Sequence, residues 1–201
     1  MSKQATPEYH IHELLASRWS PYVFADKDVS DDDLRSVFEA VRWAASSYNE
    51  QPWRYIVAKR SNADAFAKLL TCLVEPNQAW AKKASVLALG VISESFALNG
   101  KPNAAAEHDL GLASGSLTFE ATERGLSVHQ MIGILPDTAR DAFRIPEGFR
   151  ALTALAIGYA GDPDQAGGEL GDRDKGTRSR KPLSEILFGD EWGVASPLTQ
   201  T

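Results

Sequence analysis

The sequence predicts a layered domain of helices and strands, α/β or α+β, with helices in the majority. Two observations carry that expectation. Apolar residues at helical spacing alternate along the chain with three short runs rich in β-branched, aromatic or continuous apolar residues. The chain also has 201 residues, 43% hydrophobic and 24% charged, within the range of globular proteins. No repeat or linker divides it, so one unit spanning 1–201 is expected. Such a unit buries roughly 70% of the surface of the extended chain and needs no disulfide or structural metal. Disordered, collagen-like and disulfide-scaffold classes are excluded.

Ile11, Leu14 and Leu15 place a short helix between Pro7 and Ser17, running into Arg18-Trp19-Ser20-Pro21. Ser30 is an N-cap before Asp31, Asp32 and Asp33, whose charges suit the positive end of a helix dipole. Leu34, Val37, Phe38 and Val41 form the apolar face of that helix, which should stop near Ser46, before Pro52. Trp53 to Ala58 reads as a strand and Asn62 to Leu73 as an amphipathic helix. Ser85 to Ile92 is a buried strand and Ala104 to Arg124 a long helix ending at Gly125. Gly111 and Gly115, one turn apart on that helix, suggest close approach of another helix, within the chain or across a dimer. Pro136 opens a helix through Phe143, and Ala151 to Tyr159 is a strand apolar enough to be covered on both faces. A Gly/Asp-rich loop from Gly161 to Gly176, open to motion, leads to a last helix near Leu183 to Phe188.

The net charge of −6, from 21 Lys+Arg and 27 Asp+Glu, argues against a general binder of nucleic acid or anionic membrane. No signal-peptide core or membrane span is visible, and the single cysteine permits no internal disulfide, so a reducing cytoplasm is expected. Cys72, among Phe66, Leu69, Leu70 and Leu73, reads as a buried, inert thiol. The sequence has no G-x-S-x-G elbow, phosphate-binding P-loop, H-E-x-x-H or G-x-G-x-x-G after a strand. No metal site is expected: Asp31 to Asp33 point in different directions on a helix, as do His10 and His12.

Two polar groups stand out. Asp172 to Lys181 carries five cationic residues against two aspartates, and Arg18 with Ser20 adds a guanidinium and a hydroxyl. Together they could clamp a phosphate, although spacing alone also allows solvated surface arginines. Ser46-Ser47-Tyr48-Asn49-Glu50-Gln51 offers amide donors and acceptors of the kind that read the edge of a flat heterocycle, or else satisfies only its own backbone.

Arg18-x-Ser20, the run Ala44-Ala45-Ser46-Ser47-Tyr48-Asn49-Glu50-Gln51-Pro52-Trp53, Asp109-x-Gly111-x-Ala113, Gly125-Leu126 to Ile132-Gly133, Ala156-Ile157-Gly158-Tyr159 and Arg178-Ser179-Arg180-Lys181-Pro182-Leu183 occur in this order. In order and spacing they resemble the nitroreductase family of FMN-dependent oxidoreductases, over nearly the whole chain. The resemblance implies a three-layer α+β fold with a central, mostly antiparallel sheet, assembled as an intertwined homodimer with FMN at the subunit interface. It implies that Arg18, Ser20, Arg178 and Arg180 hold the FMN phosphate and ribityl chain, with backbone contacts from Trp19. Ser46, Ser47, Asn49 and Gln51 would border the ring, and the backbone of Gln130, Met131, Ile132 and Gly133 would approach its reactive edge. Phe96 and Asn99 would wall the substrate pocket.

No catalytic side chain is implied, because the flavin carries the chemistry. NADH or NADPH would be the donor and a nitroaromatic, quinone or related electron-poor small molecule the acceptor, in ping-pong turnover. The alternatives are a flavin-dependent dehydrogenase or oxidase of a small metabolite, and a flavin-binding protein with little turnover. The chain departs from the family pattern where Pro21-Tyr22-Val23 follows the Arg-x-Ser pair in place of a basic residue, at Ala45 in place of proline, and at Ile132 where some members carry an acid.

Overall fold

The computed structural model describes residues 3–199; Met1, Ser2, Gln200 and Thr201 of the expected 1–201 unit lie outside the described residues. In chain order the elements are α1 (Glu13–Ser17), α2 (Asp31–Arg42), β1 (Trp53–Lys59), α3 (Ala63–Leu70), α4 (Glu75–Ala81), β2 (Val86–Ser93), α5 (Ala106–Glu123), β3 (Ser127–Met131), α6 (Pro136–Phe143), β4 (Phe149–Gly158), α7 (Pro163–Ala166) and α8 (Gly168–Lys175). The four strands form one sheet in the order β1-β2-β4-β3, antiparallel throughout.

Side-chain alternation along the central strands divides the core in two. On one face Val86, Ala88, Leu155 and Ile157 pack with Leu34, Val37 and Val41 of α2 and with Leu110, Ala113, Leu117 and Ala121 of α5. On the other, Leu87, Leu89, Ala154 and Ala156 meet Phe66 and Leu69 of α3, Trp80 and Ala81 of α4 and Ala139 of α6. Helices therefore cover both faces, giving the three-layer α+β arrangement. The β2–β4 register shifts between Gly90 and Val91. A Cβ on Gly90 would lie 2.7 Å from Thr153 Cγ2, which explains the glycine there.

Local chemistry sets the element ends. Ser30 Oγ accepts from Asp33 N at 3.0 Å, as a capping serine does, and Pro136 stands in the first turn of α6. Helix α2 stops at Arg42 rather than Ser46, because the Trp43 N–H closes on Glu39 O and the Ala44 N–H on Val41 O. Helix α1 begins at Glu13 rather than Pro7, where His12 Nδ1 accepts from Leu14 N at 3.2 Å.

Other expectations are corrected. A fourth strand, β3, pairs with β4, and α4 forms behind Pro76. The Gly161–Gly176 loop is largely helical: Asp162 caps α7, Pro163 stands in its first turn, and α8 follows. The helix expected near Leu183 to Phe188 is a single 3-10 turn, Leu183–Glu185, before a short hairpin closed by a Phe188–Ala195 bridge; a further 3-10 turn follows at Pro197–Thr199. Apart from the backbone of α5 itself, no described atom lies within 4 Å of a Cβ built on Gly111 or Gly115, so no helix of the same chain packs directly on them. No helix among the described residues is long and apolar enough to cross a membrane.

Candidate functional site

After α1 the chain becomes extended at Arg18, and the segment that follows α8 is tied to it through Arg178. Arg18 Nη1 donates to Ser20 Oγ at 3.1 Å. Arg178 Nη1 donates to Lys3 O at 2.8 Å and to Ala16 O, and Arg180 Nη1 donates to Ser179 O at 2.6 Å. Arg18, Arg178, Arg180 and Lys181 line one side of a cavity of about 700 Å³, whose apolar side includes Tyr9 and Leu15. Trp19 packs nearby, with Lys3 Nζ 5.3 Å from its ring centre.

Burial, and then the charges of Arg178 and Arg180, push the Arg18 guanidinium below its ordinary pKa; burial and Arg180 do the same to Arg178. Among the described residues no carboxylate pairs with Arg18, Arg178 or Arg180. In an acidic protein, three guanidiniums with no carboxylate bonded to them can take an anion, even with Glu8 also lining the cavity.

The second group lies in the connection from α2 to β1. Tyr48, Asn49 and Gln51 all have left-handed backbone, with φ of 54°, 56° and 51°. Asparagine tolerates this region, but Tyr48 and Gln51 store strain there, of a kind that concentrates at functional sites. Three hydrogen bonds hold the turn: Ser47 N to Asp109 Oδ2, Gln51 N to Ser46 Oγ and Gln51 Nε2 to Asn49 O, each 3.0 Å. Asp109 belongs to α5 and is buried. Glu50 Oε1 accepts from Ala97 N at 2.8 Å, and the Tyr48 and Phe96 rings meet edge to face at 5.9 Å. Phe96 thus stands beside the turn, while Asn99 Oδ1 accepts from Lys101 N within its own loop.

Strand β3 supplies the third group. Gln130 Nε2 donates to Thr118 Oγ1 at 2.9 Å and Ser114 O at 3.2 Å, both on α5. The Met131 carbonyl accepts from Thr153 Oγ1 at 2.8 Å, Ile132 is 84% exposed, and the Gly133 carbonyl accepts from Asn77 Nδ2 and Val74 N. A Cβ on Gly133 would lie 2.6 Å from Asn77 Nδ2.

On the opposite face of β3, His129 Nδ1 bonds the Pro21 carbonyl at 2.8 Å, which fixes that nitrogen as the protonated donor. Its ring packs against Tyr22 at 4.7 Å and Trp80 at 4.4 Å between centres. Burial, reinforced by Arg18, pushes its pKa below 6.5 against the opposing pull of the Pro21 carbonyl and Asp174. A base whose folded pKa is depressed takes up protons more readily unfolded, so folding stability should fall as pH drops through 6.5. Denaturant midpoints between about pH 7.5 and 5.5 check this, and His129→Gln should flatten the dependence.

The fold therefore brings Arg18 and Ser20 together with Arg178 and Arg180. It gathers Ser46 to Gln51 and Gln130 around α5. No hydrogen bond among the described residues joins the two groups directly. Asp109, part of the Asp109-x-Gly111-x-Ala113 motif but without an expected role, joins His129 and Asp174, which nothing in the sequence singled out; their bonds go to backbone atoms distant in sequence. The sequence reading also missed Asn103, buried at the approach to α5, whose Nδ2 has no described partner.

The family model described as "Nitroreductase family" matches residues 15–159. An uncharacterised 15.4 kDa protein of Mycolicibacterium smegmatis is 33% identical over 150 residues, covering 70% of this chain and 97% of the relative. A protein of Archaeoglobus fulgidus, provisionally named an NADH dehydrogenase/NAD(P)H nitroreductase, is 25% identical over 75% of this chain and 85% of its own length. A solved structure described as the oxidoreductase containing FMN superposes with a TM-score of 0.88 at 31% identity, covering 96% of this chain and 98% of that one. Matched along most of its length in both sequence and fold, the chain belongs to the nitroreductase family.

Proposed function

We propose that the protein is an FMN-dependent oxidoreductase that uses NADH or NADPH to reduce nitroaromatic, quinone or related electron-poor acceptors in ping-pong turnover. The observation that carries this reading is the group of three arginines without a described carboxylate partner, facing one cavity in a chain of net charge −6. A phosphate monoester supplies the missing charge. Arg18, Ser20, Arg178 and Arg180 hold it, each guanidinium keeping N–H groups beyond the Nη1 spent inside the protein.

The strained turn of Ser46, Ser47, Asn49 and Gln51 borders the ring, fixed from below by Asp109. Trp19 contributes backbone contacts. The backbone of Gln130, Met131, Ile132 and Gly133 approaches the reactive edge, and the Gln130 side chain and Thr153 hold that strand against α5 and β4. Phe96 and Asn99 wall the acceptor pocket beside Tyr48. When bound, FMN supplies the hydride chemistry, and these residues supply orientation and charge.

A homodimer completes the site. The open stripe of α5 at Gly111 and Gly115, flanked by the exposed Leu112 and Phe119, suits a helix from a second copy. The reading also places the chain, as one domain over 1–201, in the cytoplasm.

The experiment that tests the reading is the visible spectrum of the purified protein, with chromatographic identification of the chromophore released by heat. FMN in a one-to-one ratio with the chain, bleached by a nicotinamide donor and restored by a quinone, is the expected result. Sedimentation of the same sample should give a dimer. A colourless protein that takes up no added FMN overturns the proposal.

A further inference from the structure

The arginine group is built from two segments about 160 residues apart, and its charges repel one another. Arg18 and Ser20 lie just after α1, whereas Arg178 and Arg180 follow α8. Repulsion among the three guanidiniums acts to spread those segments, so an anion-ready cluster needs a tie between them.

Asp174 makes that tie. It lies in the last turn of α8, four residues before Arg178, and is only 5% exposed. Its carboxylate accepts from Tyr22 N at 3.0 Å and 3.1 Å and from Val23 N at 2.9 Å. Tyr22 stands two residues after Ser20, so the tie closes within a few residues of the cluster on both sides. No cation pairs with this carboxylate among the described residues; its acceptor capacity goes to backbone N–H groups. A second strap runs alongside, since Lys3 Nζ donates to the Asp174 carbonyl at 2.7 Å and to Arg173 O at 3.3 Å. Beyond Tyr22 the segment is fixed again, by Gly161 N to Val23 O and by the Phe24–Ala160 bridge.

We infer that Asp174 is a positioning residue for anion recognition: it touches no ligand, and it holds the Arg18–Ser20 and Arg178–Arg180 arms at the separation that a phosphate monoester spans. The inference rests on the FMN reading above and adds to it the element that preorganises the phosphate site.

The test compares two flavins that differ only in the phosphate. Flavin-free wild-type protein and Asp174→Asn are titrated with FMN and with riboflavin, following quenching of flavin fluorescence. The amide keeps the size of the side chain but turns an NH2 group toward backbone donors and removes the charge. Wild type should prefer FMN, and Asp174→Asn should lose about tenfold in FMN affinity with riboflavin affinity unchanged. An equal loss for both flavins, or no loss, overturns the inference, because a general packing role does not distinguish them. A wild type that binds neither flavin instead removes the FMN reading on which the inference rests. If Asp174→Asn does not fold, Asp174→Glu, which keeps the charge but displaces the carboxylate by one methylene from the Tyr22 and Val23 N–H groups, should lower the preference for FMN over riboflavin; an unchanged preference then overturns the inference.

Discussion

Replacing Arg18 with alanine should weaken FMN binding by about 1.5–3 kcal/mol, the range for a hydrogen bond to a charged group. That is roughly a ten- to hundredfold rise in Kd. The same substitution should leave the flavin-free protein at least as stable as wild type. Arg18 is half-buried and faces Arg178 and Arg180 without an acid partner, and its one described side-chain bond goes to Ser20. Its charge is thus unfavourable until an anion arrives, and removing it relieves Arg178 as well. Fluorescence titration and denaturant midpoints on the same preparation read the two effects. Unchanged FMN affinity would refute the phosphate clamp, and a large drop in flavin-free stability would show that Arg18 serves folding instead.

The second large effect concerns the sheet. Leu155→Ala should destabilise the protein by about 2–5 kcal/mol, the cost of truncating a buried leucine where the surroundings cannot collapse. Leu155 is fully buried on the α5 face of β4, opposite Ala88 on β2 and Gln130 on β3. Ala88 is too small to fill the space, and Gln130 is held to Ser114 and Thr118. Urea unfolding measures the loss. A cost under about 1 kcal/mol would mean that α5 closes onto the sheet. Because α5 also carries Asp109, the variant should disturb the Ser46–Gln51 turn in proportion to any shift of that helix.

What the sequence made legible follows from the range of the interactions. Ser30, Pro136 and Gly125 act on their own helices within a turn, and the corresponding boundaries are found where local chemistry puts them. The continuous apolar runs announced a buried strand at β2 and, at β4, one covered on both faces, and both have helices on each side. Strand β3 escaped because His129 and Gln130 interrupt its apolar pattern; their partners, Pro21 and Thr118, lie on other elements. Helix α4 has only seven residues and no side-chain cap, and α7 and α8 lie in glycine-rich sequence whose helical start depends on Asp162 and Pro163. At the site, the residue types of the arginine group and the turn were readable. The holding roles of Asp109 and Asp174 were not, because a carboxylate that accepts backbone N–H groups from distant segments leaves no local pattern.

The single cysteine has a practical consequence. Cys72 is fully buried, its thiol is directed at the Lys68 carbonyl, and burial raises its pKa, so alkylating reagents should pass it by. The native chain is thus a ready-made background without an accessible thiol for labelling. One cysteine introduced at an open position such as Trp192, 91% exposed on the C-terminal hairpin, would carry a spin label alone. Dipolar spectroscopy on that variant would turn the association of two copies into a measured distance, with no second label or heterologous tag.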